Sequence, residues 1–390
     1  MLSKKGLIKL GLCVVMAAVL FIPVGMAKGD AGQEQDVISL SLEESIEMAL
    51  KNNPAVEIAQ IALDKASMEL KQADKAARDI VDGRKAASEL PAGMDIGLYS
   101  YDMYIVERIV PKQKAMLEVI NEKSLEFKVN VLKIQVEQAY YGVLKAQREL
   151  LNTMDSLSRA KEQLRLAQVG MEVGTNAKLD VLNAEIMVAS QEVAVSYAKN
   201  NLQEKTMEFN NIIGLPLDAQ VKLTSEFEFE PAVFNLDEVM EAAKEKDLTY
   251  ITLNEAYKVQ KALLDLAKGH YTPNVFAYRD AEYGYRTAKL ELQNADQDLE
   301  LKITKAYFKL LSASERYQLM EKSVEQARES YRLTKLRYEV GMSTQLELEK
   351  AGGELDKAKT ELLGALYDYN LLVSMFKNSI FETGGGSFGG

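Results

Sequence analysis

From residue 139 onward, apolar or small side chains recur at alternating intervals of four and three residues: Ala139, Val143, Ala146, Leu150, Thr153, Leu157, Ala160, Leu164, Ala167 and Met171. Adding 167 to each number gives a second series with the same spacing, from Ala306 and Leu310 through Tyr317 and Val324 to Tyr331, Thr334 and Tyr338. A 3.5-residue period sustained this long is the signature of coiled-coil helices; strands and ordinary globular helices do not keep it. One seam position is mostly small and the other mostly large, and small residues let two helix backbones approach closely. The period predicts two helices of about 55–60 residues, each about 85 Å long, and therefore an elongated shape.

The chain then turns back twice. The segment Val173-Gly174-Thr175…Leu179-Asp180 matches Val340-Gly341-Met342…Leu346-Glu347 at the same offset. After each glycine the heptad spacing resumes, through Val181, Ala184, Val195 and Ala198 in the first half and Leu348, Ala351, Leu362 and Ala365 in the second. Gly174 and Gly341 supply the backbone freedom that a tight turn needs. Asp180 is placed to stabilise the start of the first return helix through the helix dipole. Each half is thus expected to be an antiparallel helical hairpin. Ser41 with Glu44, and Asn235 with Glu238, have capping-box spacing and predict the start of an opening helix in each half. Residues Val221 to Phe229 alternate and predict a short strand beside the coiled coil. The fold class is mainly α: two tandem structural repeats with short β segments.

The N-terminus is a separate matter. Lys4 and Lys5, an apolar run from Leu7 to Val24, and Gly25-Met26-Ala27 have the order of a secretory leader cleaved after Ala27. The expected organisation is a leader at 1–27, a first repeat at 28–232, a second at 233–382 and a Gly-rich tail at 383–390. Losing Lys4, Lys5 and Lys9 with the leader takes the formal charge from −11 to −14. That balance disfavours nucleic acid as a partner. One histidine (His270) and one cysteine (Cys13) are too few for a His/Cys zinc site, a disulfide framework or a Cys–His nucleophile. The carboxylates fall at helical spacing with no phosphate loop nearby, so neither an enzyme nor a cofactor is expected.

The opening Leu42-Glu-Glu-Ser-Ile-Glu-Met-Ala-Leu-Lys-Asn-Asn-Pro54, the two tips, and Asn211-Ile-Ile-Gly-Leu-Pro216 resemble the TolC-type outer-membrane efflux proteins in residues and in order. The resemblance implies a homotrimer whose helices form a long tunnel across the periplasm, beneath a β-barrel in the outer membrane. It implies docking at the tips (Val173, Gly174, Thr175, Val340, Gly341, Met342) to a periplasmic adaptor protein and an inner-membrane pump. Glu347 matches the first acid of the ring that closes the family's inner mouth, and Tyr338 matches a tyrosine of its closing network. Two positions depart from the pattern: Lys350 stands where a second acid is expected, and Ser343 where an arginine is.

The barrel is the largest departure. A spanning strand takes about 9–11 residues, and the family places two strands in each connector. The first connector, 83–111, has 29 positions, and its Ile96, Leu98, Tyr99, Tyr101, Tyr104 and Ile105 have room for one strand, at most two. The second, 269–285, has 17, too few for two crossings and a loop. The strands are expected to be shortened or missing, with the tyrosine-rich connectors contacting the outer membrane. Two functions follow: an export conduit of the cell envelope, or an envelope-spanning coiled-coil spacer without a pore.

Overall fold

The computed structural model describes residues 37–88, 98–174 and 176–381. Strand β1 (Ile38–Leu40) leads into helix α1 (Leu42–Asn52), whose start is fixed by the expected capping box. The Ser41 hydroxyl accepts the Glu44 N–H at 3.2 Å, and the Ser41 N–H donates to the Glu44 carboxylate at 2.8 Å. Asn53 ends α1 and caps α2 (Pro54–Ala87), with Pro54 at the first helical position, where its missing N–H needs no partner. After α3 (Tyr101–Arg108) come α4 (Val110–Glu172) and α5 (Lys178–Ile213). Strand β2 (Val221–Leu223) pairs in parallel with β1, Leu40 opposite Leu223. The second half repeats the plan with α6 (Leu236–Lys244), α7 (Leu248–His270), α8 (Phe276–Glu339) and α9 (Gln345–Asn378).

The long helices neighbour one another in the order α5, α4, α9, α8. Helix α2 lies along α4 and α7 along α8, while α1 packs on α4 and α6 on α8. The seam residues expected from the heptads face inward: Val143, Ala146, Ala160 and Ala167 on α4 are buried, as are Val181, Ala184, Val195 and Ala198 on α5. In the second hairpin Val324 packs with Leu355 and Ala358. A further small-residue seam went unread in the sequence. Ala59, Ala66 and Ala73 on α2, and Ala281, Ala288 and Ala295 on α8, recur every seven residues and are all buried. They let the second helix of each half lie close to the long one.

Three expectations are corrected. First, α4 and α8 contain 63 and 64 residues rather than 55–60, because helix extends back into the connectors. Second, strand pairing stops at Leu223, short of Phe229. The chain beyond it is an extended strap held by buried tyrosines. The Tyr140 hydroxyl accepts the N–H groups of Thr224 and Ser225 at 3.0 and 2.9 Å and donates to the Leu40 carbonyl at 3.1 Å. The Tyr369 hydroxyl does the same further on, accepting from Ala232 and donating to the Glu230 carbonyl. The Thr224 N–H also donates to the Leu40 carbonyl at 3.0 Å, and beyond that last pair the phenols supply partners for the strap backbone. Phe227 and Phe229 point into the core instead, against Tyr141 and Tyr317.

Third, the part of the first connector that had room for a strand is helical where it is described, and the connectors carry no strand among the described residues. Tyr101, Tyr104 and Ile105 lie on α3; their i, i+3, i+4 spacing gives a helical face, which packs with Ile109, Val259 and Leu266. Leu98 and Tyr99 form a turn, and Ile96 lies outside the described residues. In the second connector, α7 runs to His270 and α8 begins at Phe276. This end is knit together by Arg84, which reaches the Leu98 carbonyl and the Glu107 carboxylate and lies over the Tyr104 ring, 4.0 Å from its centroid. No described helix is long and apolar enough to cross a membrane. The expected leader (1–27) and the whole of the expected tail (383–390) lie outside the described residues.

Candidate functional site at the hairpin tips

Both hairpins turn in the same way. α4 ends at Glu172 and α8 at Glu339, each followed by a valine and then a glycine in the left-handed region, Gly174 at φ 78° and Gly341 at φ 77°. That conformation costs an L-residue about 1–2 kcal/mol, which is why glycine stands there. A Cβ on either glycine would meet nothing within 4 Å, so the requirement comes from the backbone alone. The turn is closed by backbone bonds, Gly174 N–H to Met171 and Gly341 N–H to Tyr338. Beyond it the chain restarts on an acid three residues into the new helix. The Ala177 N–H donates to Asp180 at 2.8 Å, and the Thr344 N–H donates to Glu347 at 2.8 Å while the Thr344 hydroxyl accepts the Glu347 N–H.

These turns leave apolar side chains in solvent. Val173, Val340 and Met342 are 69%, 68% and 73% exposed, and Leu179 and Leu346 flank them, also exposed. Thr175 lies outside the described residues. Each tip is therefore a small apolar knob on a rigid, capped turn.

Glu347 is more constrained than the sequence suggested. Besides the Thr344 N–H it accepts the Ser343 hydroxyl at 2.5 Å. The Ser343 bond first, then the Thr344 amide and the charge of Arg337, hold its carboxyl below the usual range. Ser343, the residue standing where the resemblance expects arginine, thus contacts the acid directly, and Arg337 supplies positive charge nearby. The sequence reading missed Arg337, which lies just before Tyr338. Asp180 and Glu347 occupy equivalent positions, and both cap their helices.

Glu347 also opens a polar groove between α8 and α9, continued by Lys350, Glu354, Lys357 and Glu361. The 3,4,3,4 spacing aligns these charges, alternating in sign, on one face of α9. Tyr338, half-buried on the last turn of α8, does not line this groove. Among the described residues, no His, Cys, Asp and Glu are gathered in threes as a metal site would require.

Comparisons with known proteins agree with this architecture. The sequence profile described as outer membrane efflux protein matches residues 124–215 and 274–371, the long-hairpin portions of the two halves. No curated protein sequence matches significantly. Among solved structures, the chain is similar to the outer membrane protein VceC of Vibrio cholerae (14% identity, 87% of this chain and 97% of that one, TM-score 0.60). It is similar to the CmeC outer membrane channel of Campylobacter jejuni (13%, 93% and 94%, 0.64) and to the open-state MtrE channel of Neisseria gonorrhoeae (15%, 94% and 98%, 0.59). At these identities the likeness is one of fold, and it covers nearly the whole of each chain. Two profile matches fall on two hairpins of the same design, and both hairpins match the outer membrane efflux protein family.

Proposed function

We propose that the chain is the channel-forming component of a cell-envelope export system, assembling as a homotrimeric helical tunnel that docks through its tips to a periplasmic adaptor and an inner-membrane pump. The observation that carries this reading is the state of the two outer long helices. Helix α5 packs on α4 and leaves Leu182, Ile186, Val193 and Tyr197 exposed; α8 packs on α9 and leaves Leu301, Phe308, Leu311 and Leu319 exposed. At 100° per residue each set falls on one side of its helix, so each is an apolar stripe without a partner helix. The two stripes differ and sit on opposite edges of the four-helix row. The self-contact they favour is therefore head-to-tail, the type that closes into a ring.

The tips fit adaptor docking because each is an exposed apolar knob held in fixed geometry. A leader removed after Ala27 would deliver the mature chain to the envelope. Glu347, with its depressed carboxyl, would stay ionised and attract cations at the inner mouth.

The helical connectors favour a second reading, a spacer that reaches the outer membrane without building its own pore. Phe276, 90% exposed, is an apolar group, and the exposed Tyr99 and Tyr283 are amphipathic ones, a mixture suited to a membrane interface. Planar-bilayer recording separates the two. Stepwise currents from the purified protein, with cation preference reduced in Glu347→Ala, support the tunnel. Silent bilayers at protein levels that give trimers in solution support the spacer.

A further inference from the structure

Glu137 lies where α4 meets α9, the contact that joins the first hairpin to the second. It is 8% exposed, and among the described residues it is the one buried carboxylate. One of its oxygens accepts the Tyr141 hydroxyl at 2.9 Å. From α9, the Ser374 hydroxyl and the positive charge of Lys377 both favour its ionised form. The Tyr141 ring stacks on Tyr367 of α9, with centroids 4.5 Å apart, and Phe227 of the strap stands edge-on to both. Ile134, Leu371 and Met375 complete an apolar surround. A carboxylate here is not explained by the hairpin turns, the exposed stripes or the strap bonds.

The groups facing Glu137 are accounted for element by element. Tyr141 comes from its own helix and is pushed far above its ordinary value by burial and by Glu137 itself. From α9 come Tyr367, pushed up to about 12 by burial, and Lys377, while the strap contributes the Phe227 ring. Both phenols therefore stay neutral across the physiological range. Burial raises the Glu137 carboxyl above the usual range, against the opposing pull of Ser374, Tyr141 and Lys377. A raised folded-state value means that the closed seam holds its proton longer than an open one does. The seam is then firmest in acid, and it weakens as pH rises from the ordinary carboxylate range through the raised value.

We propose that Glu137 is a pH-responsive latch between the two hairpins: neutral, it lets α9 close on α4; ionised, it draws water into the seam and loosens it. The latch acts at the root of a long lever. Along α4 it stands 35 residues from Glu172, about 50 Å at 1.5 Å per residue, so a small rotation at the seam displaces one tip relative to the other. The proposal concerns contacts within one chain and stands or falls apart from the tunnel reading.

Lys145 and Asp368 both line the α4–α9 groove, one from each helix, and are both exposed, so they are suitable sites for paired nitroxide labels. In the full chain carrying Cys13→Ser, Lys145→Cys and Asp368→Cys, the interspin distance should lengthen as pH is raised from about 4 to about 8. Glu137→Gln, which keeps the shape and removes the charge, should hold the acid-state distance throughout. Ser374→Ala removes a hydroxyl that favours the ionised form and should move the midpoint upward. A distance that does not change with pH, a Gln variant that responds as the parent does, or an unmoved midpoint in Ser374→Ala would each overturn the proposal.

Discussion

At the residue scale, single polar groups decide how irregular backbone is held against a helical wall. The Tyr140 hydroxyl serves three backbone partners inside a fully buried site. Removing it strands the Ser225 N–H, while the Thr224 N–H and the Leu40 carbonyl keep their bond to each other at 3.0 Å; an unmet buried group costs about 1–3 kcal/mol. Tyr140→Phe should therefore lower stability by about that amount in urea unfolding, with no change in helix content by circular dichroism. Glu347 makes a pH-dependent contribution of the opposite sign to that of Glu137. Its folded-state carboxyl is depressed, so its capping bonds stabilise α9 above the ordinary carboxylate range and are lost as pH falls through the depressed value. Amide exchange at the start of α9 should accelerate in acid, and Glu347→Gln should remove that acceleration. These side chains were only partly legible in the sequence. Asp180 and Glu347 announce themselves by standing three residues inside a helix start. Tyr140 does not, because its partners are 84, 85 and 100 residues away.

At the element scale, the packing of long helices rests on small side chains at fixed intervals. Ala160 is buried on the α4 seam, where the spacing leaves no room for a larger group. Ala160→Leu should overpack the hairpin and cost about 1–3 kcal/mol, measurable as a lowered urea midpoint, whereas Leu at the exposed neighbour Lys161 should be nearly neutral. A single seam sets a 3.5-residue period, and for that reason both hairpins could be read directly from spacing. α4 touches more than one partner, however. Glu137 and Tyr141 belong to its second face, toward α9, and the stronger heptad of the α5 seam hides that face in the sequence. The connector failed for another reason. Tyr99, Tyr101, Tyr104 and Ile105 are a short aromatic run, and such runs suit strand and helix alike until a neighbour selects one. Here Val259 and Leu266 of α7 give α3 a surface to pack on.

At the scale of the whole molecule, one chain supplies two copies of a hairpin but not a closed structure. The row α5–α4–α9–α8 ends in an exposed apolar stripe on either side. Within the described residues nothing covers these stripes, and burying them against further copies is the physical reason to expect assembly. The prediction belongs to the two edges jointly, since closing a ring would bury the Val193 and Tyr197 stripe of α5 against the Phe308 and Leu319 stripe of a neighbouring α8. A charge at Val193 should therefore weaken assembly without unfolding the hairpin, because that position makes no seam contact within the chain.

The most direct test is the mass of the purified mature chain in solution by light scattering across a range of concentrations. The expected result is a stable species of three chains, reduced to single chains by Val193→Glu with helix content retained. A monomer at every concentration, or a wild-type assembly that Val193→Glu leaves intact, would contradict it.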